Sequence, residues 1–316
     1  MHESMNNLHV ERVAENIYLI AVPQVFNHPA TASYLVKGEK VALIEAAFSS
    51  STPSIVKAIE EIGVRVEEID YIFATHFHID HTSAIGSLLE MNREAKVIIH
   101  YALYKVLGDP VRAIRGAKTV FGELVKVFEP VKPVALDRII RVSGGEVFDL
   151  GEGVRLKVIY TPGHEVDHVA FYEESTRTLF PGEAVCLYNS KELPVFIPPC
   201  SGAMYNVEQA RGSLKLLSKL NVEHICAPHF GVVEMEPNKH FNKSMEAIDY
   251  WYNEINGMLK RGMNYPEILR KCKEIILKSA GYSSINELNE FFKRYWFPIM
   301  PKLMVIGFMT LFLWRF

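Results

Sequence analysis

Residues 75–81, THFHIDH, constrain this chain more than any other stretch of it. They follow a short apolar run, Ile69 to Ala74 (IDYIFA), bounded in the way a buried strand is, so the motif stands at a strand end. Three imidazoles and one carboxylate fall between His76 and His81, in a chain with only 12 histidines among 316 residues. Each of these groups can ligate a borderline divalent ion such as zinc. If the strand register carries through His76 and His78, period-two geometry points both rings the same way, toward one ion. Asp80 and His81 then lie on the turn into the next helix, free to face a second. An HExxH segment would instead place its histidines on one helical face. The bland alternative is a chance run of polar residues in a surface turn. Against it stand two further strand ends that deliver histidine: TPGHEVDH (Thr161 to His168) after LKVIY, and APHFG (Ala227 to Gly231) after EHICA.

Taken together, HxHxDH, the later TPGH, a Gly-acidic pair (Gly182 and Glu183) and a last histidine, His229, near a glycine resemble the metallo-β-lactamase superfamily in kind and order. The resemblance covers roughly residues 10 to 235. It implies an α/β fold, the four-layer αβ/βα metallo-β-lactamase sandwich, and a branch similar to glyoxalase II or to uncharacterised members. Residues 1–237 would form that domain, with a helical insert at about 101–131, and 238–316 a C-terminal helical extension with an apolar tail. The resemblance assigns His76, His78 and His164 to one metal and Asp80, His81 and His229 to the other, with Glu183 between them. The ions would be two divalent cations, zinc first, with iron or manganese as alternatives. A water shared by two cations becomes hydroxide near neutral pH and attacks an ester, thioester, lactone or phosphoester. Asp80 is the catalytic candidate, orienting the nucleophile and shuttling its proton. Two departures from the family are visible: Glu45, where an aspartate usually supports the metal site, and Glu183, where an aspartate usually bridges two ions.

In chain order, His9 to Pro23 and Ser33 to Ala46 read as strands, the second a hairpin about Lys37, Gly38 and Glu39. Thr52 as N-cap and Pro53 as first residue open a helix to Ile62. A helix over Thr82 to Met91 leads to the strand Lys96 to His100, and this alternation argues for layered α/β. Within the insert, Arg112, Arg115 and Lys118 recur at three-residue spacing, either as a lid offering cations to an anionic substrate or as a solvated helix face. Strands around Arg138 to Val142, Glu146 to Leu150 and Val154 to Tyr160 return the chain to TPGH, where Gly163 permits a tight turn. Asp167 and His168 read either as part of the pocket wall or the support around the metal site, or, preferred, as structural, the histidine hydrogen-bonded at the start of a strand to Tyr172. Leu187 to Tyr205, with three prolines, reads as an ordered loop in which Tyr188, Lys191 and Tyr205 are either surface residues or have the reach to touch substrate. Asn206 caps a helix from Val207 to Leu220.

Beyond Pro237 the chain reads as helices over Lys239 to Lys260, Pro266 to Ser279 and Ser284 to Trp296. The final residues, 297–316, are strongly apolar, but Leu303 to Trp314 supplies only twelve uncharged residues in a row, short of the ~20 a spanning helix needs. Self-packing or a homo-oligomer interface is preferred over a membrane contact for this tail. Cys186, Cys200, Cys226 and Cys272 are dispersed without a CxxC pair, which points to buried apolar roles. The start of the sequence lacks a signal-peptide core, giving a cytoplasmic expectation. A net charge of −3, from 34 basic and 37 acidic residues, disfavours nucleic acid as a partner.

The substrate expected is therefore a small molecule, a thioester, lactone or other ester. An RNase Z-like phosphodiesterase stays open as an alternative, weakened by the near-neutral charge. So does a non-catalytic metal-binding or interaction module, in which Glu45 and Glu183 would have abolished turnover. A flavodiiron-type oxygen reductase fits poorly with His78, and a secreted β-lactamase with the missing signal.

Overall fold

A computed structural model describes residues 9–22, 31–190, 193–201, 204–281, 284, 286–287 and 300–313. They fall into two compact units, the first drawn from residues 1–160, 167–182 and 222–232, the second from 161–166, 183–221 and 233–316. Lys191, most of the expected helix from Ser284 to Trp296, and both ends of the apolar tail lie outside the described residues.

The first unit holds a seven-stranded sheet in chain order, β1 (His9–Ala14), β2 (Ile17–Val22), β3 (Thr31–Lys37), β4 (Val41–Ile44), β5 (Ile69–Phe73), β6 (Lys96–His100) and β7 (Ile139–Val142). Its first four strands pair antiparallel, and β4 to β7 pair parallel. A second sheet is built from β8 (Val147–Asp149), β9 (Arg155–Tyr160), β10 (Val169–Glu173) and β11 (Thr178–Phe180), while β12 (Leu187–Asn189) and β13 (Leu193–Ile197) belong to the other unit. β14 (His224–Ala227) and β15 (Gly231–Val232) complete the second sheet, in the order β15-β14-β11-β10-β9-β8.

Strand periodicity explains why β5 reads as a mostly apolar run: Phe73 faces the second sheet and Ile72 the helices, while Asp70 accepts from the Val41 N–H at 2.8 Å. Phe73 packs with Tyr34, Ile44, Val158 and Phe171 between the sheets, its ring 5.0 Å from Phe171 and edge-on to it. Ile72 packs with Leu43, Val97 and Ile99 against Ile55 and Ile59 of α1 (Thr52–Glu61) and against Leu88. A parallel strand covered on both faces is mostly apolar. Each such side chain contributes about 2 kcal/mol of burial.

Local chemistry moves several boundaries. The run from His9 divides at Glu15 and Asn16, where the Arg12 guanidinium caps the carbonyls of Ala14 and Glu15; no glycine marks this turn. Ser51 is the N-cap of α1, because Thr52 is already helical and its hydroxyl donates to the Ser49 carbonyl at 2.8 Å. The helix expected over Thr82 to Met91 is two, α2 (Ile79–Thr82) and α3 (Ile85–Met91). Ser83 at the break accepts from the Ser49 N–H at 2.9 Å. The insert carries α4 (Lys105–Gly108) and α5 (Val111–Phe121), and Arg112, Arg115 and Lys118 are exposed on α5.

In the second unit the expected loop contains a hairpin, β12 paired with β13. The Tyr188 and Phe196 rings stack at 4.4 Å across it, and a two-stranded ribbon tolerates Pro194 because it has free edges. α6 (Val207–Leu217) begins at Asn206, whose Oδ1 accepts from the Glu208 and Gln209 N–H groups, both at 3.1 Å. α7 (Pro237–Lys260), α8 (Tyr265–Ser279) and α9 (Met300–Leu313) share a core that includes Trp251, Ile255, Ile268, Ile276, Met304 and Phe308. The described part of the apolar tail thus packs on the chain's own helices. Among the described residues no helix is long and apolar enough to cross a membrane.

Candidate metal centre

Just after β5 the chain leaves the sheet, and its next residues are held from several sides. The Phe77 N–H donates to Asp167 Oδ2 at 3.0 Å. Thr82 donates its hydroxyl toward the carbonyls of Phe77 at 3.1 Å and His78 at 2.9 Å. The Val169 N–H donates to the Thr75 carbonyl at 2.8 Å. Between these anchors His76 Nδ1 meets the Thr75 hydroxyl at 3.0 Å, and His76 Nε2 lies 2.9 Å from His78 Nδ1. The two rings converge, but not by strand register: β5 ends at Phe73, and the bend over residues 75–77 brings them together.

Glu45 is delivered by β4 in a left-handed conformation, φ 62°, uncommon for a residue with a side chain. Its own N–H bonds the Phe73 carbonyl at 2.9 Å, and the next N–H, of Ala46, bonds the His81 carbonyl at 2.9 Å. This turn sets Glu45 Oε2 3.0 Å from His81 Nδ1. The other ring nitrogen, His81 Nε2, faces Asp80 Oδ2 at 3.5 Å, and His229 Nε2 reaches the same oxygen at 3.8 Å. The loop bearing His229 is tied to β3: Ala32 N–H donates to the Pro228 carbonyl at 2.7 Å, and Tyr34 donates its buried hydroxyl to the Ala227 carbonyl at 2.7 Å.

In the second unit His164 Nδ1 donates to the Pro199 carbonyl at 2.5 Å, leaving Nε2 2.9 Å from Glu183 Oε2. Burial works against a charged His164, but the Glu183 carboxylate overcomes it by charge and hydrogen bond and lifts the imidazole pKa to about 9. Positions that favour a proton so strongly also favour a metal cation. Gly163 is required where it stands: φ is +140°, and a Cβ would come 2.4 Å from the Ala210 nitrogen at the start of α6. Gly182, at φ +54°, is required by a close approach, since a Cβ there would meet His168 Nε2 at 2.5 Å.

Two donor groups result. Ligand atoms of Asp80, His81 and His229 lie within 4.8 Å of one another, and so do those of His76, His78, His164 and Glu183. Every sequence-predicted metal residue is in one of the two, and Glu183 falls with His76, His78 and His164. The donor chemistry fits divalent ions: imidazole nitrogens and carboxylate oxygens at spacings near the ~3.3 Å between neighbouring ligands of a tetrahedral ion. His81 and His164 each have Nδ1 engaged by an oxygen, which fixes the ring and presents Nε2, the usual support for a ligating histidine.

Other expected residues take different places. Asp167 and His168 are fully buried; the first accepts from the Phe77 N–H, and the second lies with its ring 5.2 Å from His76, just before β10 rather than in it. Tyr205, taken as a surface residue or substrate contact, is buried against Phe308 with ring centroids 5.5 Å apart. Tyr188 is half-buried in the hairpin, and all four cysteines are buried. Thr75 and Tyr34 went unnoticed in the sequence; the position of Thr75, next to the first histidine, was the available signal.

Comparison with known proteins agrees with this arrangement. Residues 28–229 match the metallo-beta-lactamase superfamily. The chain is 31% identical over 269 residues to "Metallo-beta-lactamase fold-containing protein ST1585" of Sulfurisphaera tokodaii, covering 83% of this chain and 95% of that one. It is 24% identical over 315 residues to "Probable metallo-hydrolase YqjP" of Bacillus subtilis, covering 89% and 95%. The crystal structure of ST1585 superposes with a TM-score of 0.62 at 28% identity, over 74% of this chain and 86% of that one. The metallo-beta-lactamase family protein TTHA1429 of Thermus thermophilus shares the fold with a TM-score of 0.63 at 19% identity, over 93% of each chain. The chain belongs to the metallo-β-lactamase superfamily, as a metal-dependent hydrolase whose histidines and carboxylates gather in the two groups of a dinuclear site.

Proposed function

We propose that this hydrolase cleaves a small-molecule thioester, lactone or other ester, using two zinc ions. His76, His78, His164 and Glu183 would hold one, and Asp80, His81 and His229 the other. The observation that carries the reading is Asp80 Oδ2, placed 3.5 Å from His81 Nε2 and 3.8 Å from His229 Nε2 with its side chain still 16% exposed. Bound zinc supplies Lewis acidity, which acidifies water and polarises a carbonyl. Asp80 is the carboxylate of its group that solvent reaches, so it orients the attacking water and takes its proton. Glu45 keeps His81 in the orientation that presents Nε2, and the Pro199 carbonyl does the same for His164. Histidine-rich donor sets suit zinc, and a nearly balanced net charge suits a small substrate better than a polyanion.

The test is elemental analysis of protein purified without added metal, coupled to a hydrolysis screen over thioesters, lactones and phosphodiesters. Two zinc ions per chain with turnover of a thioester or lactone is the expected result. Turnover confined to phosphodiesters would overturn the substrate class, and bound metal without any turnover would leave a non-catalytic module.

A further inference from the structure

Next to the metal-ligand loop the first unit carries an aromatic cluster that the proposed chemistry leaves without a task. β5 pairs with β6 up to Phe73 opposite Ile98, two residues before Thr75, and β6 runs on to end at His100. On the other side Tyr160 pairs with Val169, whose N–H bonds the Thr75 carbonyl at 2.8 Å. Tyr160 therefore stands one strand spacing, ~5 Å, from the residue that holds Thr75, and His100 lies against Tyr160.

The two rings stack face to face, with centroids 4.7 Å apart and planes 5° from parallel. Tyr101 adds a third ring, 4.5 Å from His100 and tilted by 38°. Behind Tyr160 the turn at Gly144 closes tightly, at φ +110°, with room for no side chain because a Cβ would approach the Tyr160 Cβ to 2.8 Å. His100 is 2% exposed whereas Tyr101 is 57% exposed, so the cluster is rigid at its base and open at its rim. Burial, with Tyr101 and Asp167 close by, pushes the Tyr160 phenol up, and it remains a neutral donor.

We propose that Tyr101, His100 and Tyr160 form a specificity wall that receives a planar, unsaturated group of the substrate, an aryl or conjugated acyl or leaving group. Pre-stacked rings with one open end offer a further stacking position at no ordering cost to the protein. Such stacking adds about 0.5–1.5 kcal/mol beyond burial of area, roughly a two- to twelvefold preference over a saturated ring of the same size. The proposal rests on the ester or thioester reading above, and its test must separate the two.

Binding of phenylacetate and of cyclohexylacetate to the zinc-loaded full chain is measured by calorimetry, and KM for the corresponding thioesters is measured in parallel. Wild type should favour the aryl member about fivefold in both readouts. Tyr101→Ala should bring that ratio near one, and Tyr101→Phe should keep it. Tyr250→Ala, which removes an exposed tyrosine of α7, should leave it unchanged. Tyr101 is exposed enough that its loss will not unfold the chain, and circular dichroism confirms this. An aryl preference absent from wild type, or one that survives Tyr101→Ala, overturns the wall. A wild type that binds phenylacetate with the expected ratio yet hydrolyses no ester or thioester supports the wall and refutes the substrate reading instead.

Discussion

Residues 75–82 and helix α5 belong to the same unit, but they are held in opposite ways. In the loop, Thr75, His76 and His81 are 0–1% exposed, and the backbone or hydroxyl groups of Thr75, Phe77, His78, His81 and Thr82 all have named partners. On α5, Val111 is 55% exposed, and none of the described side chains is buried. Donor geometry for a metal has to hold within ~0.5 Å, so its scaffold is over-determined. A helix that only borders a site carries no such constraint, and its surface can change while the chemistry stays.

The largest effect should come from breaking the rigid side. His81→Ala removes a donor whose other ring nitrogen is already fixed by Glu45 at 3.0 Å. It should cost the second metal equivalent and lower kcat/KM on the order of 10³-fold, a loss of several kcal/mol of transition-state stabilisation. Metal analysis and kinetics on the same preparation check this, with circular dichroism to show the fold intact. Full activity with two bound ions would remove His81 from the site.

A smaller effect is expected one step out. Glu45→Gln keeps the shape but removes the carboxylate that holds His81 Nδ1 at 3.0 Å. Metal affinity should fall by about 10–100-fold, read by competition with a chromogenic chelator, while the folded structure persists. An unchanged affinity would make the Glu45 contact a packing feature and weaken the contrast between anchored and free regions.

How far these roles were legible in advance depends on how local their signals are. His76, His78, Asp80 and His81 announced themselves because four donors in one short loop have little else to do, and His164 and His229 followed from strand ends of the same type. Apolar strand runs were legible for the same reason: β5 is buried on both faces and alternates between two cores. Left-handed Glu45 was not visible, because nothing in LIEAAF marks a positive φ. The hydrogen bond from Phe77 to Asp167 joins residues 90 positions apart, and such pairs have no sequence pattern. β12 and β13 were hidden by Pro194 and by the lack of alternation, since the stacking of Tyr188 on Phe196 holds the hairpin together across its two strands. Tyr205 was misplaced because its burial depends on Phe308, far along the chain.

The smallest effect should come from the unconstrained side. Arg112, Arg115 and Lys118 are all exposed on α5, and exposed charges away from caps and buried networks change stability by less than about 0.5 kcal/mol each. Replacing all three with alanine should move the midpoint of thermal unfolding by a few degrees at most and leave metal content at the wild-type value. KM for a neutral lactone should also stay the same, since an exposed charge exerts little field through water and salt. The informative comparison is a thioester carrying a phosphate on its leaving group. If its KM rises tenfold in the triple variant while the neutral lactone is unaffected, the three cations reach substrate and α5 is part of the site. If both substrates behave alike, the helix face is solvated surface, and discrimination among substrates has to come from groups nearer the histidines.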